Sequence, residues 1–102
     1  MKKEDISIIL KPLVKSGVYK NEEVALKDIV VNHIEKKIYK YENTIKEIEN
    51  KYNMEFNELT ENIKHDANFE EEDDWMEIKA AITMKEAWEK AKKDLIGDKS
   101  HV

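Results

Sequence analysis

Few side chains in this sequence are equipped for chemistry, and their spacing settles most of what they can do. The histidines are His33, His65 and His101. Glu61 and His65 stand one helical turn apart with Asp66 adjoining, a set of oxygen and nitrogen ligands that could begin a divalent-cation site. Nothing else in the chain supplies the paired Glu-x-x-His motifs of helical di-iron proteins, so no metal is expected. His33 lies between Val31 and Ile34 with no carboxylate at i±4, and reads as an ordinary partly buried histidine. The acidic run Glu70–Asp74 lacks the spaced Asp/Asn/Gly pattern of a calcium loop. It reads instead as a solvated linker, with Asp73 or Asp74 capping the helix that follows. Ser7, Ser16 and Ser100 have no histidine at a telling position, and two distant glycines make no phosphate-binding loop. With no cysteine, thiol catalysis, disulfides and Cys-type zinc sites are excluded. Neither an enzyme nor a cofactor is expected.

Nucleic acid is the other chemistry to weigh. Lys2, Lys3, Lys11, Lys15, Lys20 and Lys27 gather near the start of the chain, enough for phosphate contacts. All 18 basic residues are lysine, however, so the commonest bidentate reader of guanine is missing. A solvated lysine face explains the cluster equally well. Charge is uneven along the chain: residues 1–40 carry 9 Lys against 6 Asp/Glu, and residues 41–102 carry 9 Lys against 17 Asp/Glu. The net values of +3 and −8 give the overall −5. A basic head suits a polyanion and an acidic tail suits a basic protein.

These residues must be positioned by helices. Of 102 residues, 40% are charged, and Pro12, Gly17 and Gly97 are the only prolines and glycines. Such sparse punctuation predicts long helices with short connections. No apolar run is longer than the three residues of Ile8–Leu10, so neither a signal peptide nor a membrane span is expected, and a cytoplasmic location is the default.

The opening residues alternate at Ile6, Ile8 and Leu10, and read as a short strand or as a helix. Pro12 suits the first turn of a helix over about 11–16, which Gly17 would stop with a left-handed C-cap. Asn21 is a good N-cap for a second helix, Glu22 to Tyr52, with Glu22 and Glu23 at its positive end. Apolar residues recur along it at Val31, Ile34, Ile38, Tyr41, Ile45, Ile48 and Tyr52, gaps of 3 and 4 that make a heptad seam. Val24, Leu26, Ile29 and Val30 widen the apolar arc early on, so that half is expected to be the more buried.

A helix of this length is roughly 46 Å long. It must lie against another long helix, its own chain's or a second copy's. Asn53 is the expected break, followed by a short helix carrying Met54, Phe56, Leu59 and Ile63. The last helix, over 74–96, shows one stripe of Trp75, Ile78 and Ile82, then Ala81, Met84, Trp88, Ala91 and Leu95. It is long enough to lie antiparallel on the second, with Ala81, Ala87 and Ala91 allowing close approach. Asp98–Val102 reads as a frayed tail.

The segment Lys11-Pro-Leu-Val-Lys-Ser-Gly-Val-Tyr-Lys-Asn-Glu-Glu-Val24, continuing through Leu26, Lys27, Asp28 and Ile29, resembles the SG-x-Y-(S/N)-x-x-E helix–turn–helix of prokaryotic antitoxins. The segment is found in ParD-type ribbon-helix-helix antitoxins and in small antitoxin-like proteins. A second stretch, Lys51-Tyr-Asn-Met-Glu-Phe-Asn-Glu-Leu59 with Asp74-Trp-Met-Glu77, is similar to the KYGM-x-F-E-E-F … DW-x-E-W tail of some of those small proteins. Asn53 stands where that tail has glycine, and the segment before Ser16 is short for a full strand and first helix. The resemblance implies a head that dimerises and contacts operator DNA, and a C-terminal half that occludes a toxin, often a ribonuclease.

The resulting expectation is a mainly α single domain: short N-terminal strand or helix, helix–turn–helix, long central helix and antiparallel C-terminal helix. Residues 1–40 form the dimerising head and residues 41–102 an acidic helical hairpin that binds a partner. Lys3, Ser7 and Lys11 are the candidate DNA contacts. Phe56, Phe69, Asp74, Trp75 and Trp88 are the candidate toxin-facing residues, with core packing the alternative for both tryptophans. The seam from Val31 to Tyr52 is the candidate dimer contact. A structural helical oligomer and a stand-alone DNA-binding regulator are the competing functions.

Overall fold

The long second helix begins where a cap is available and ends where a left-handed residue is tolerated. Asn21 Oδ1 accepts the Val24 N–H at 2.9 Å, satisfying one of the orphan amides of the first turn. At the other end Asn53 adopts φ +54°, and the Met54 and Asn53 amides donate to the Glu49 and Asn50 carbonyls at 3.0 and 3.3 Å. That pair of bonds is a Schellman close, which asparagine supports because its side chain tolerates positive φ. In the computed structural model, which describes residues 2–97, four α-helices follow one another: α1 (Lys3–Lys15), α2 (Glu22–Tyr52), α3 (Phe56–His65) and α4 (Phe69–Lys92). A π-helical turn, Lys93–Gly97, extends the last of them. No strand occurs among the described residues. The chain divides into two compact units, Met1–His33 and Ile34–Val102, and α2 contributes to both.

In the first unit the opening residues resolve to helix. A lone strand would leave its amides and carbonyls without a ladder, whereas a helix satisfies its own. Ile6, Leu10, Leu13 and Val14 then fall on one face, which buries Leu10 to 4% exposure. Asp5 accepts the Lys2 N–H at 3.2 Å, closing one arm of a capping box. Pro12 therefore sits well inside α1, not in its first turn as expected, and the Ile8 carbonyl loses its usual donor. Gly17 takes φ +84° after the helix, its N–H donating to the Val14 carbonyl at 3.0 Å. Tyr19 folds over the turn, donating its hydroxyl to Asp28 Oδ2, which also accepts from Asn32 Nδ2 at 3.3 Å.

The expected wider burial of early α2 is not what the structure has. Ala25 is fully buried, but Val24, Leu26, Ile29 and Val30 are all exposed. Of these, Leu26 borders a groove that it shares with Ile6 and Leu10 of α1.

In the second unit α2, α3 and α4 converge on Ile48, Leu59 and Ile78, of which the last two are fully buried. Ile45, Tyr52, Met54, Phe56, Ile63, Trp75 and Ile82 pack around them. The pairs Tyr52/Asp74 and Lys92/Glu35, at 2.5 and 3.7 Å, fix α2 and α4 as antiparallel. Of the seam, Ile34 and Ile48 are buried, and Ile45 and Tyr52 pack against the cluster around Ile48.

The start of α4 also differs from expectation. Neither Asp73 nor Asp74 is the cap; Asn68 is, accepting the Glu71 N–H at 2.8 Å. The acidic run forms the first turns of the helix instead of a linker, a placement the helix dipole favours. Of the small residues expected between α2 and α4, Ala81 is buried at 3%, while Ala87 and Ala91 are exposed; Met84 lines a shallow groove with Lys40, Tyr41 and Thr44 of α2. The buried register is set by Ile78 and Ala81. No helix among the described residues is long and apolar enough to cross a membrane.

Candidate partner-binding surfaces

The five residues expected to face a partner separate into two groups. Phe56 and Trp75 stack on each other with ring centroids 6.3 Å apart and planes within 11°. Trp75 Nε1 donates to Thr60 Oγ1 at 2.9 Å, and Thr60 in turn donates to the Phe56 carbonyl at 2.8 Å. Lys79 Nζ lies 5.0 Å from the centroid of the Trp75 ring. Trp75 is therefore a packing residue joining α3 to α4, and its indole N–H is satisfied inside the chain. Trp88 is partly buried on α4. Phe69 is the opposite case: at 87% exposure it is the most exposed of the large apolar side chains.

Asp74 belongs to the first group, at the centre of a polar latch between α2 and α4. It accepts from Lys51 Nζ at 2.7 Å and from the Tyr52 hydroxyl at 2.5 Å, and Lys51 also reaches Glu70 at 2.8 Å. Hydrogen bonds from Lys51 and then Tyr52 hold the Asp74 carboxyl below its ordinary range. The same bonds raise their donors: Lys51 through Asp74 and Glu70, and Tyr52 through Asp74. A separate, local tie caps α3, whose Phe56 N–H donates to Glu49 Oε2 at 3.1 Å. Sequence periodicity gave no sign of this latch, because it joins residues 19 to 23 positions apart.

Lys3, Ser7 and Lys11 do share a face. They sit one turn apart on α1 and line a shallow 400 Å³ groove with Glu4 and Ile8. Glu61, by contrast, pairs with Lys64 at 3.2 Å, and no three His, Asp or Glu side chains converge on a metal-sized site among the described residues. His101, Ser100 and the expected frayed tail Asp98–Val102 lie outside the described residues.

The surface that the sequence reading missed is apolar. In the first unit Leu26, Ile29 and Val30 occupy one face of α2 at i, i+3 and i+4, exposed by 41, 43 and 38%. Beside them a 340 Å³ groove is lined chiefly by Ile6, Leu10 and Leu26, with Lys3, Glu22 and Glu23 at its edge. Ile9 is also exposed, at 58%. Among the described residues of this unit Leu10 and Ala25 are buried, while these apolar side chains stay in water. The signal was present in the sequence as apolar residues off the heptad seam. Their fate depended on the length of α1, which Pro12 disguised.

Searches of protein-family models, of curated proteins and of solved structures found no match to this chain.

Proposed function

We propose that this protein works by contact: two copies pair through their first units, and the acidic helical hairpin of each holds a partner protein in the manner of an antitoxin. The observation that carries the reading is the exposed row Leu26, Ile29 and Val30 beside the apolar groove under Leu10. Burying such a row against a second copy removes apolar surface from water at about 25 cal/mol per Å². The turn supports the likeness to antitoxins in detail. Gly17 is left-handed, Tyr19 is anchored on Asp28, and Asn21 caps α2, so these three residues of the resembling segment each have a structural task. The hairpin closed on Ile48, Leu59 and Ile78 supplies a firm acidic arm.

The test is co-expression with the product of the neighbouring small gene. The reading expects a stable complex on purification and relief of any growth arrest that the neighbour causes alone. Absence of both would contradict it. A second reading, direct binding of operator DNA, is favoured by the row Lys3, Ser7 and Lys11 on one face of α1. A mobility-shift assay on the gene's own promoter tests it. Binding must weaken steeply with salt, and absent or salt-independent binding rules it out.

A further inference from the structure

Charges along α2 mirror one another about the apolar row. Within this unbroken helix Glu22 and Glu23 precede Leu26, and Lys36 and Lys37 follow Val30. At about 3.6 residues per turn all of these, with Ile29 and His33, fall within roughly 70° of one direction. The acidic and basic pairs are about 21 Å apart, and their midpoint lies between Ile29 and Val30. Leu26, Ile29 and Val30 are exposed by 41, 43 and 38%. Glu23, His33 and Lys36 are exposed as well, and Glu22 and Lys37 are half-buried. None of the four charged side chains has an ion-pair partner among the described residues. Lys3, on the same groove as Glu22 and Glu23, pairs with neither.

We infer that two copies meet antiparallel along this face of α2, about a two-fold axis between Ile29 and Val30, with the acidic pair of each on the basic pair of the other. The inference rests on the pairing of copies proposed above, and adds its direction, its register and the charged residues that set them. In an isologous contact residue i meets j and j meets i. Reversal about that axis sets Ile29 and Val30 at the centre, Leu26 by His33, Glu22 by Lys36 and Glu23 by Lys37. A parallel pair would instead set glutamate on glutamate at one end and lysine on lysine at the other, which is repulsive. It would also align the two helix dipoles, which antiparallel copies oppose. A foreign helix with one sign of charge would be attracted at one end and repelled at the other. The pattern therefore suits a second copy.

The test uses the full chain and sedimentation velocity at micromolar concentrations. Wild type is expected to dimerise, severalfold more weakly at about 200 mM salt than at about 50 mM. Glu22→Lys with Glu23→Lys is expected to weaken the dimer at least about tenfold, and Lys36→Glu with Lys37→Glu likewise. Making all four changes in one chain restores opposite charges across the contact and is expected to recover the dimer. That fourfold variant keeps whatever the two new lysines cost the first turn of α2, so its recovery reports pairing and not folding. Because the chain holds no cysteine, single cysteines report direction independently. Val30→Cys is expected to form a disulfide between copies under mild oxidation. Glu23→Cys, about 20 Å along the helix from its counterpart, is expected not to.

A dimer that ignores both charge reversals overturns the inference, as does a disulfide through Glu23→Cys in place of the one through Val30→Cys. The two levels separate cleanly. If such a dimer is still dissolved by Leu26→Glu with Ile29→Glu, the direction is wrong and the pairing of first units stands. If wild type stays monomeric at every concentration, the pairing itself fails and the inference falls with it.

Discussion

Ile78→Ala is the perturbation for which the structure gives the clearest magnitude. Ile78 has no exposed surface, and it meets Ile48 of α2 and Leu59 of α3 at the one point where three helices converge. Truncation removes three carbons, about 2.4 kcal/mol at about 0.8 kcal/mol each. A cavity term is added because α3 and α4 are held by the Trp75–Thr60 bond and cannot close freely on the gap. A loss of about 3 kcal/mol follows, which in a unit of this size lowers the melting temperature by roughly 12–24 °C. Thermal unfolding followed by far-ultraviolet circular dichroism measures it, with Phe69→Ala as the control. Phe69 is as apolar as Ile78 but 87% exposed, so its truncation is expected to change stability by no more than about 0.5 kcal/mol. A drop of only a few degrees for Ile78→Ala, or equal drops for the two variants, would refute the placement of the core.

Other expectations follow from single features. Gly17 has φ +84° and open space where a Cβ would point, so Gly17→Ala should cost about 1 kcal/mol through backbone strain alone. A D-alanine at the same position, introduced by chemical ligation, should cost nothing; equal losses for both would show that the turn is not left-handed. Asn68→Ala should destabilise by about 1 kcal/mol as a lost cap, while Asp73→Ala should not, and chemical denaturation distinguishes them. The latch sets a pH window. The depressed Asp74 carboxyl contributes stability above its unfolded value near 4, and that contribution is lost as pH falls through the lower folded value. The raised Tyr52 and Lys51 contribute below about 10, and lose it as pH rises through their higher folded values. Melting temperatures of wild type and Asp74→Asn should therefore differ at neutral pH and converge as pH falls through the lowered folded value of Asp74, whereas a constant gap would refute the linkage.

What the sequence made legible was what local rules determine. Glu22–Tyr52 was bounded correctly because Asn21 is a cap, Asn53 tolerates positive φ, and nothing between them interrupts the helix. The mainly helical character followed from the sparse prolines and glycines. Errors arose where a local signal met tertiary context. Pro12 normally marks a first turn, but the Ile6–Leu10–Leu13 face carries the helix past it. The run Glu70–Asp74 looked like a solvated linker, yet Asn68 caps it into helix and Lys51 fixes Asp74 to α2. Exposure was the least legible property. Periodicity places Leu26, Ile29 and Val30 on one face and Phe69 and Met76 on another, but says nothing of whether the chain itself covers them. Trp75 and Phe69 show the same limit, since both are aromatic residues of α4 and only three-dimensional packing separates a core residue from a surface one.

Sedimentation velocity across a range of micromolar concentrations tests the central claim most directly, using wild type and Leu26→Glu with Ile29→Glu. The account predicts a wild-type dimer that becomes a folded monomer in the variant, with the core around Ile78 melting unchanged. A wild type that stays monomeric throughout, or a dimer indifferent to the two glutamates, would contradict it.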